Sequence, residues 1–244
     1  MSLSINTMAE IFALRLLDSL IEGGAICLCA ALILRVVPRP NAATRFAVWF
    51  SALIGVALLP WVSEAWVHTS VAHAAARHAA IALPESWAIY FLVGWGLLAL
   101  WFFLRLGWAI GHLNALRKTC IAVDPGELDP VVRETLQSYC GMRRIRLCTS
   151  QQVRVPTAAG LVRPAILMPH RLMRELSPAE LNQVVLHELA HFRRWDDWTN
   201  LIQQVVTALL FFHPAIWWIE RRLGLEREMA CDDADLAKTA SPRA

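Results

Sequence analysis

The stretch VVLHELAHFRRWDD, residues 184–197, holds the side chains of this chain best suited to chemistry. His187 and His191 are four apart, so on a helix they share a face and can offer two imidazole nitrogens to one metal ion. Glu188 is rotated to one side, beside such an ion rather than on it. A carboxylate there can take a proton from a water that zinc acidifies to a pKa of about 7, and pass it to a leaving amine. Two solvent-facing histidines on an amphipathic helix would give the same pattern, and HExxH alone does not separate the readings.

A third ligand would separate them. The metzincin extension needs a glycine and then a third histidine; Arg194 and Asp197 occupy those positions, so that extension fails and Asp197 stays open only as a carboxylate option. Further on lies LEREMACDDADL, residues 225–236, with Glu228 and Asp232 four apart on one helical face. This resembles the ExxxD pattern of the gluzincins, which implies that the glutamate binds zinc and the aspartate holds a ligand histidine, fixing its tautomer and direction. The plain alternative is an exposed, charged helix end, since Glu220, Glu226, Asp233 and Asp235 are close by. The two motifs together favour the zinc site.

The elements that must position these residues belong to an apolar chain. Of 244 residues 57% are hydrophobic and only 18% charged, with mean hydropathy +0.44, which is the composition of a membrane protein. A net charge of +3 gives no reason to expect a nucleic-acid partner. Three apolar runs, about 11–37, 46–67 and 87–111, are each long enough to span a bilayer, and several of the 11 tryptophans flank them as interface anchors do. The first run has acidic residues before its core and no basic lead, unlike a cleaved signal peptide. Arg35, Arg39 and Arg45 follow the first run, and Arg117, Lys118, Arg133, Arg143, Arg144 and Arg146 follow the third. Basic residues favour the cytoplasm, so the N-terminus is expected outside and everything beyond about residue 115 inside. Cys27, Cys29, Cys120, Cys140, Cys148 and Cys231 form no CxxC pair and read as small fillers or free thiols.

Two regions are therefore expected: a transmembrane region, 1–115, and a cytoplasmic domain, 116–244. In the second, Asp129-Pro130 starts a helix that ends near Cys140-Gly141, Ile145 to Cys148 reads as a strand, and VPTAAGLVRPAILMP reads as two strands around a turn at 162–164. Ser177-Pro178-Ala179-Glu180 is a capping box with proline at the first helical position, so HELAH falls in the third turn of a helix. Residues 201–219 are nearly long enough to span, yet His191 precedes them and Glu228 follows. One crossing would part the two ligands. Residues 201–212 make about 18 Å of helix, short of the roughly 30 Å hydrocarbon core, and His213-Pro214 breaks it. A membrane-associated hairpin at about 200–219 is expected. His213 reads as a polar hinge or a substrate-binding residue; Arg193, Arg194 and Asp196 either orient the site or simply end the helix.

PTAAGLVRPAILMP, LHELAHFRRWD, FFHPAIWW and EREMACDD, in that order after three apolar runs, resemble the BlaR/MecR family of membrane zinc metallopeptidases from the first run to about Leu236. The resemblance implies a mainly α protein of the bacterial cytoplasmic membrane: three N-terminal transmembrane helices, then a small α+β gluzincin-like domain with a short antiparallel sheet, its active site facing the cytoplasm. It implies Zn2+ on His187, His191 and Glu228, Glu188 as general base and Asp232 behind a ligand histidine. It also implies an edge strand, Ala165, Ile166, Leu167 and Met168, pairing with an extended substrate, although an ordinary core strand reads the same. The expected partners are the lipid bilayer, a cytosolic protein substrate such as a transcriptional repressor (or the chain itself), and a separate sensor protein. Nothing within residues 1–244 resembles the extracellular sensor domain of the family's sensor-transducers, so β-lactam sensing is not expected of these residues. Two rivals stand beside this reading. An intramembrane protease would need HExxH at bilayer depth, where RRWDD is costly; a catalytically silent signalling scaffold would be expected to have lost the base or a ligand.

Overall fold

A computed structural model describes residues 5–38, 40–61, 85–139 and 145–239. The described residues form two compact units, one of Met1–Phe103 with Val205–Gly224, the other of Leu104–Gln204 with Leu225–Ala244. The expected end of the second span, at 62–67, and the helix end near Cys140-Gly141 lie outside the described residues.

Helix α1 spans Ile5–Val36 and α2 Ala42–Leu58, followed by a 3-10 turn, Leu59–Trp61. Asn41 caps α2 by accepting from the Thr44 N–H at 2.7 Å. Helix α3, Glu85–Thr119, runs eight residues beyond the expected 111. Phe12–Val36, Ala42–Trp61 and Trp87–Thr119 are long and apolar enough to cross a membrane. Large side chains such as Leu28, Ile33, Leu97 and Leu104 are exposed on them, as lipid-facing residues would be.

Residues 201–219 do not form one helix. Helix α7, Asp196–Leu209, ends before His213, and Pro214 opens α8, Pro214–Thr239. In the first unit Leu210, Ile216, Ile219 and Leu223 share a core with Leu16 of α1 and Leu53 of α2. His213 is fully buried there. Its Nε2 lies 2.9 Å from the Ser19 carbonyl and its Nδ1 accepts from the Ala215 N–H at 3.2 Å. A carbonyl needs a donor and an N–H needs an acceptor, so the ring is neutral with its proton on Nε2. Both ring nitrogens are used in holding the break, which is the hinge role of the two expected.

The second unit is built on a four-stranded sheet: β1 Ile121–Ala122, β2 Arg146–Ser150, β3 Thr157–Ala159 and β4 Ala165–Pro169, in the order β1-β2-β4-β3. The sheet is mixed, not antiparallel throughout: β2 and β4 run parallel, from Arg146 opposite Ala165 to Ser150 opposite Pro169. After β2 the chain reverses into β3 and reverses again into β4, so β4 runs with β2 and slots between the other two. Ala165, Ile166, Leu167 and Met168 are not an edge: β4 is hydrogen-bonded on both sides and every residue of it is buried. Ile166 and Met168 enter one apolar cluster with Val185 and Leu189; Ala165 and Leu167 enter another with Cys148 and Ala159. Burial on both faces is why AILM reads as an unbroken apolar run.

Three helices complete this unit's frame: α4 Pro130–Tyr139, α5 His170–Glu175 and α6 Pro178–Arg193. The capping box is formed as read. The Ser177 side chain accepts from the Glu180 N–H, and the Glu180 carboxylate accepts from the Ser177 N–H at 2.8 Å. Leu181, Val185, Leu189 and Phe192 form the buried stripe of α6, which sets the helix rotation and so the direction of its histidines.

Candidate metal centre

All residues of the site lie in the second unit. His187 and His191 stand on α6 with ring centroids 5.0 Å apart. Glu228 comes from the far part of α8, and its Oε2 is 3.8 Å from His187 Nε2. One nitrogen from each histidine and one Glu228 oxygen lie within 4.8 Å of one another. Two imidazoles and a carboxylate are the protein donor set of a catalytic zinc site, so these residues fit the metal. Asp197 joins no such group among the described residues, whereas Glu228 does.

The ring of His191 is fixed from behind. Its Nδ1 lies 2.9 Å from Asp196 Oδ2, a carboxylate only 4% exposed, so Nε2 is left for an ion. The Asp196 bond, and then contact with Cys231, hold His191 up to about 10 in the metal-free protein. Fully buried Cys231 lies 3.4 Å from the same Nδ1. Arg194 Nε is 3.7 Å from Asp196 Oδ1, giving the buried carboxylate a nearby cation. The His191, Asp196 and Cys231 donors also lie within 4.8 Å, but the imidazole–carboxylate distance is that of a hydrogen bond and marks an orienting contact.

This arrangement depends on one unusual residue. Trp195 has φ 60°, the left-handed region that non-glycine residues seldom enter. It lies in the two-residue turn between α6 and α7, after which Asp196 opens α7 with its carboxylate against His191. The sequence had left Asp196 open; an acid five residues past the second histidine, at the start of a new helix, was the available signal.

Asp232 Oδ1 stands 3.9 Å from His187 Nδ1, within ion-pairing reach but longer than a hydrogen bond, and its side chain is 69% exposed. Glu188 is buried, and burial pushes its carboxyl up while the two histidines and the Ala158 N–H oppose the shift. Ala158 belongs to β3, an end strand of the sheet, so the strand whose main chain reaches Glu188 is this one and not the central β4. Sequence reasoning read a strand before the 162–164 turn but missed its place at the sheet edge beside Glu188, and it missed the contact of Cys231 with His191.

The description BlaR1 peptidase M56 belongs to a family model that matches residues 14–243, nearly the whole sequence. The chain belongs to this family. Among curated relatives, the regulatory protein BlaR1 of Bacillus licheniformis is 30% identical over 124 residues, 51% of this chain and 20% of that protein. The methicillin resistance mecR1 proteins of Staphylococcus aureus and Staphylococcus epidermidis are each 23% identical over 145 residues, 54% of this chain and 24% of theirs. The match therefore spans a quarter or less of the length of these relatives.

Proposed function

We propose that this chain is a membrane-bound zinc metalloendopeptidase that acts from the cytosolic face on a cytosolic protein, a transcriptional repressor or the chain itself, as a step in transmembrane signalling. The observation that carries the reading is the convergence of His187, His191 and Glu228 beside buried Glu188. Peptidase family membership supports it, and the names of the relatives (a regulatory protein, methicillin resistance) supply the signalling part.

His187, His191 and Glu228 would hold zinc, with Asp196 and Asp232 behind the two imidazoles. When bound, zinc supplies Lewis acidity to the scissile carbonyl and to the water that attacks it. Glu188 takes the proton of that water and returns it to the amine that leaves; burial makes its carboxylate a stronger base than an exposed glutamate. The outer edge of β3, Thr157–Ala159, is the strand to which an extended substrate would add, its main-chain bonds holding the scissile peptide near Glu188.

The test is the full chain purified in detergent, with zinc content and peptide cleavage measured side by side. About one zinc per chain is expected, lost in Glu228→Ala. Glu188→Gln should keep zinc and lose cleavage. Wild type without zinc, or a Gln variant that cleaves as well as wild type, would sink the proposal.

A further inference from the structure

A cavity of about 680 Å3 in the second unit takes no part in the peptidase reading. Its polar lining is cationic: Arg117, Lys118, Arg146 and Arg163, with Cys120 and Cys148 beside them. Three elements bring the cations together. Arg117 and Lys118 are in the last turn of α3, Arg146 opens β2, and Arg163 lies in the turn before β4, where Arg146 pairs in register with Ala165. Among the described residues no carboxylate lines the cavity, and none of the four cations is in an ion pair.

One of the four is built in. Arg117 Nη1 donates to the Arg163 carbonyl at 2.6 Å. Gly160, at φ 107°, makes room for this contact: a Cβ there would meet the Arg163 carbonyl and stand 3.1 Å from Arg117 Nη1. The turn and the guanidinium are thus packed as a unit, and the cavity wall is organised before any ligand arrives.

Four converging cations without a counter-charge suit a phosphate group. The position along α3 indicates its source. Arg117 and Lys118 end the apolar window Trp87–Thr119. At 1.5 Å per residue, Trp87 to Arg117 covers about 45 Å, the thickness of a bilayer with both headgroup layers. With α3 read as a membrane helix, its last turn reaches headgroup depth. We propose that this cavity binds the headgroup phosphate of an anionic phospholipid, holding the second unit at the membrane surface.

The test uses the full chain in detergent, titrated with phosphatidylglycerol or phosphatidylcholine of the same acyl chains, with retained lipid counted by native mass spectrometry. Wild type should retain phosphatidylglycerol in preference. The pair Arg146→Gln with Arg163→Gln should weaken retention about 25-fold, at about fivefold per surface cation, and the matching Lys pair should keep most of it. Both side chains are exposed, and the Arg163 main-chain bond to Arg117 survives the exchange. Equal retention of the two lipids by wild type would overturn the proposal, and needs no variant to fold. So would unchanged retention in the Gln pair, or displacement of the lipid by millimolar inorganic phosphate or by a glutamate-rich peptide, which would assign the site to a free anion or a protein partner.

Discussion

Replacing Asp196 with asparagine should change the pH dependence of zinc binding more than its strength at neutral pH. The Asp196 carboxylate bonds His191 Nδ1 at 2.9 Å and is the largest of the influences that hold the metal-free imidazole up to about 10. It makes Nε2 more basic, and greater basicity acts twice. It strengthens a bond to zinc, and it strengthens the hold on the proton that zinc must displace. Near the top of the range no proton competes, and asparagine should cost about 10–100-fold in affinity, roughly 1.4–2.7 kcal/mol. Below that, wild type releases one proton from His191 for each zinc bound, so this residue makes affinity fall about tenfold per pH unit. In the variant His191 returns toward its ordinary value of about 6.5 and adds no such slope above it. The ratio of wild-type to variant affinity should therefore rise about tenfold per unit between about pH 7 and 9. Contributions of His187 and Glu228 are common to both proteins and cancel in the ratio. The assay is chelator competition at half-unit pH steps, with proton release checked by calorimetry in two buffers. Stability should follow the same sign. A group whose pKa is raised by folding stabilises fully below its unfolded value near 6.5 and loses that contribution as pH rises through about 10. Metal-free wild type should thus melt progressively lower from pH 7 to 10, a slope the variant lacks. Parallel affinity profiles for the two proteins would refute the reasoning, because His191 would then hold no extra proton at neutral pH.

The other tests address neighbouring parts of the fold. Asp232→Ala should weaken zinc binding by about tenfold, the low end for loss of a supporting carboxylate, because Asp232 is largely exposed and 3.9 Å from His187; no change in a zinc titration would reduce it to a surface charge. Gly23→Ala should lower the melting temperature, since the new Cβ would stand 2.5 Å from the His213 ring, which two hydrogen bonds hold in place. Overpacking of this kind costs about 1–3 kcal/mol, more than the roughly 1 kcal/mol that alanine gains in helix propensity. Gly24→Ala is the control, because nothing lies within 4 Å of its Cβ; an equal response in both variants would remove the ring from the account. Ser177→Ala should cost about 1 kcal/mol in denaturant unfolding through loss of the cap on the HELAH helix, and an unchanged midpoint would show the box to be dispensable.

Much of this protein was legible before any coordinates. Three apolar helices, the capping box, the hinge at His213-Pro214 and the HELAH face all follow from composition and spacing along a single element. The meeting of Glu228 with the two histidines was legible too, although only by resemblance: nothing local to residues 225–236 sets Glu228 apart from the acids around it. Reading AILM as an edge strand failed for a definite reason. An unbroken apolar run records burial on both faces, but hydrogen bonding at a strand's two edges leaves no mark on side-chain type, so the order β1-β2-β4-β3 could not be read from it.

The residues that support the site show the same division. Periodicity and spacing in the sequence determined that His187, Glu188 and His191 share a helix and that Glu228 and Asp232 share another, because such relations depend only on helical geometry. Which acid meets which imidazole was decided by the tertiary structure alone. Trp195 in the left-handed region folds Asp196 behind His191, the packing of α8 brings Cys231 to the same nitrogen, and the reversal after β2 puts β3 beside Glu188. Each of these contacts joins separate elements. It is set by where the chain turns and what the elements bury against each other, and neither is encoded in any one stretch of residues.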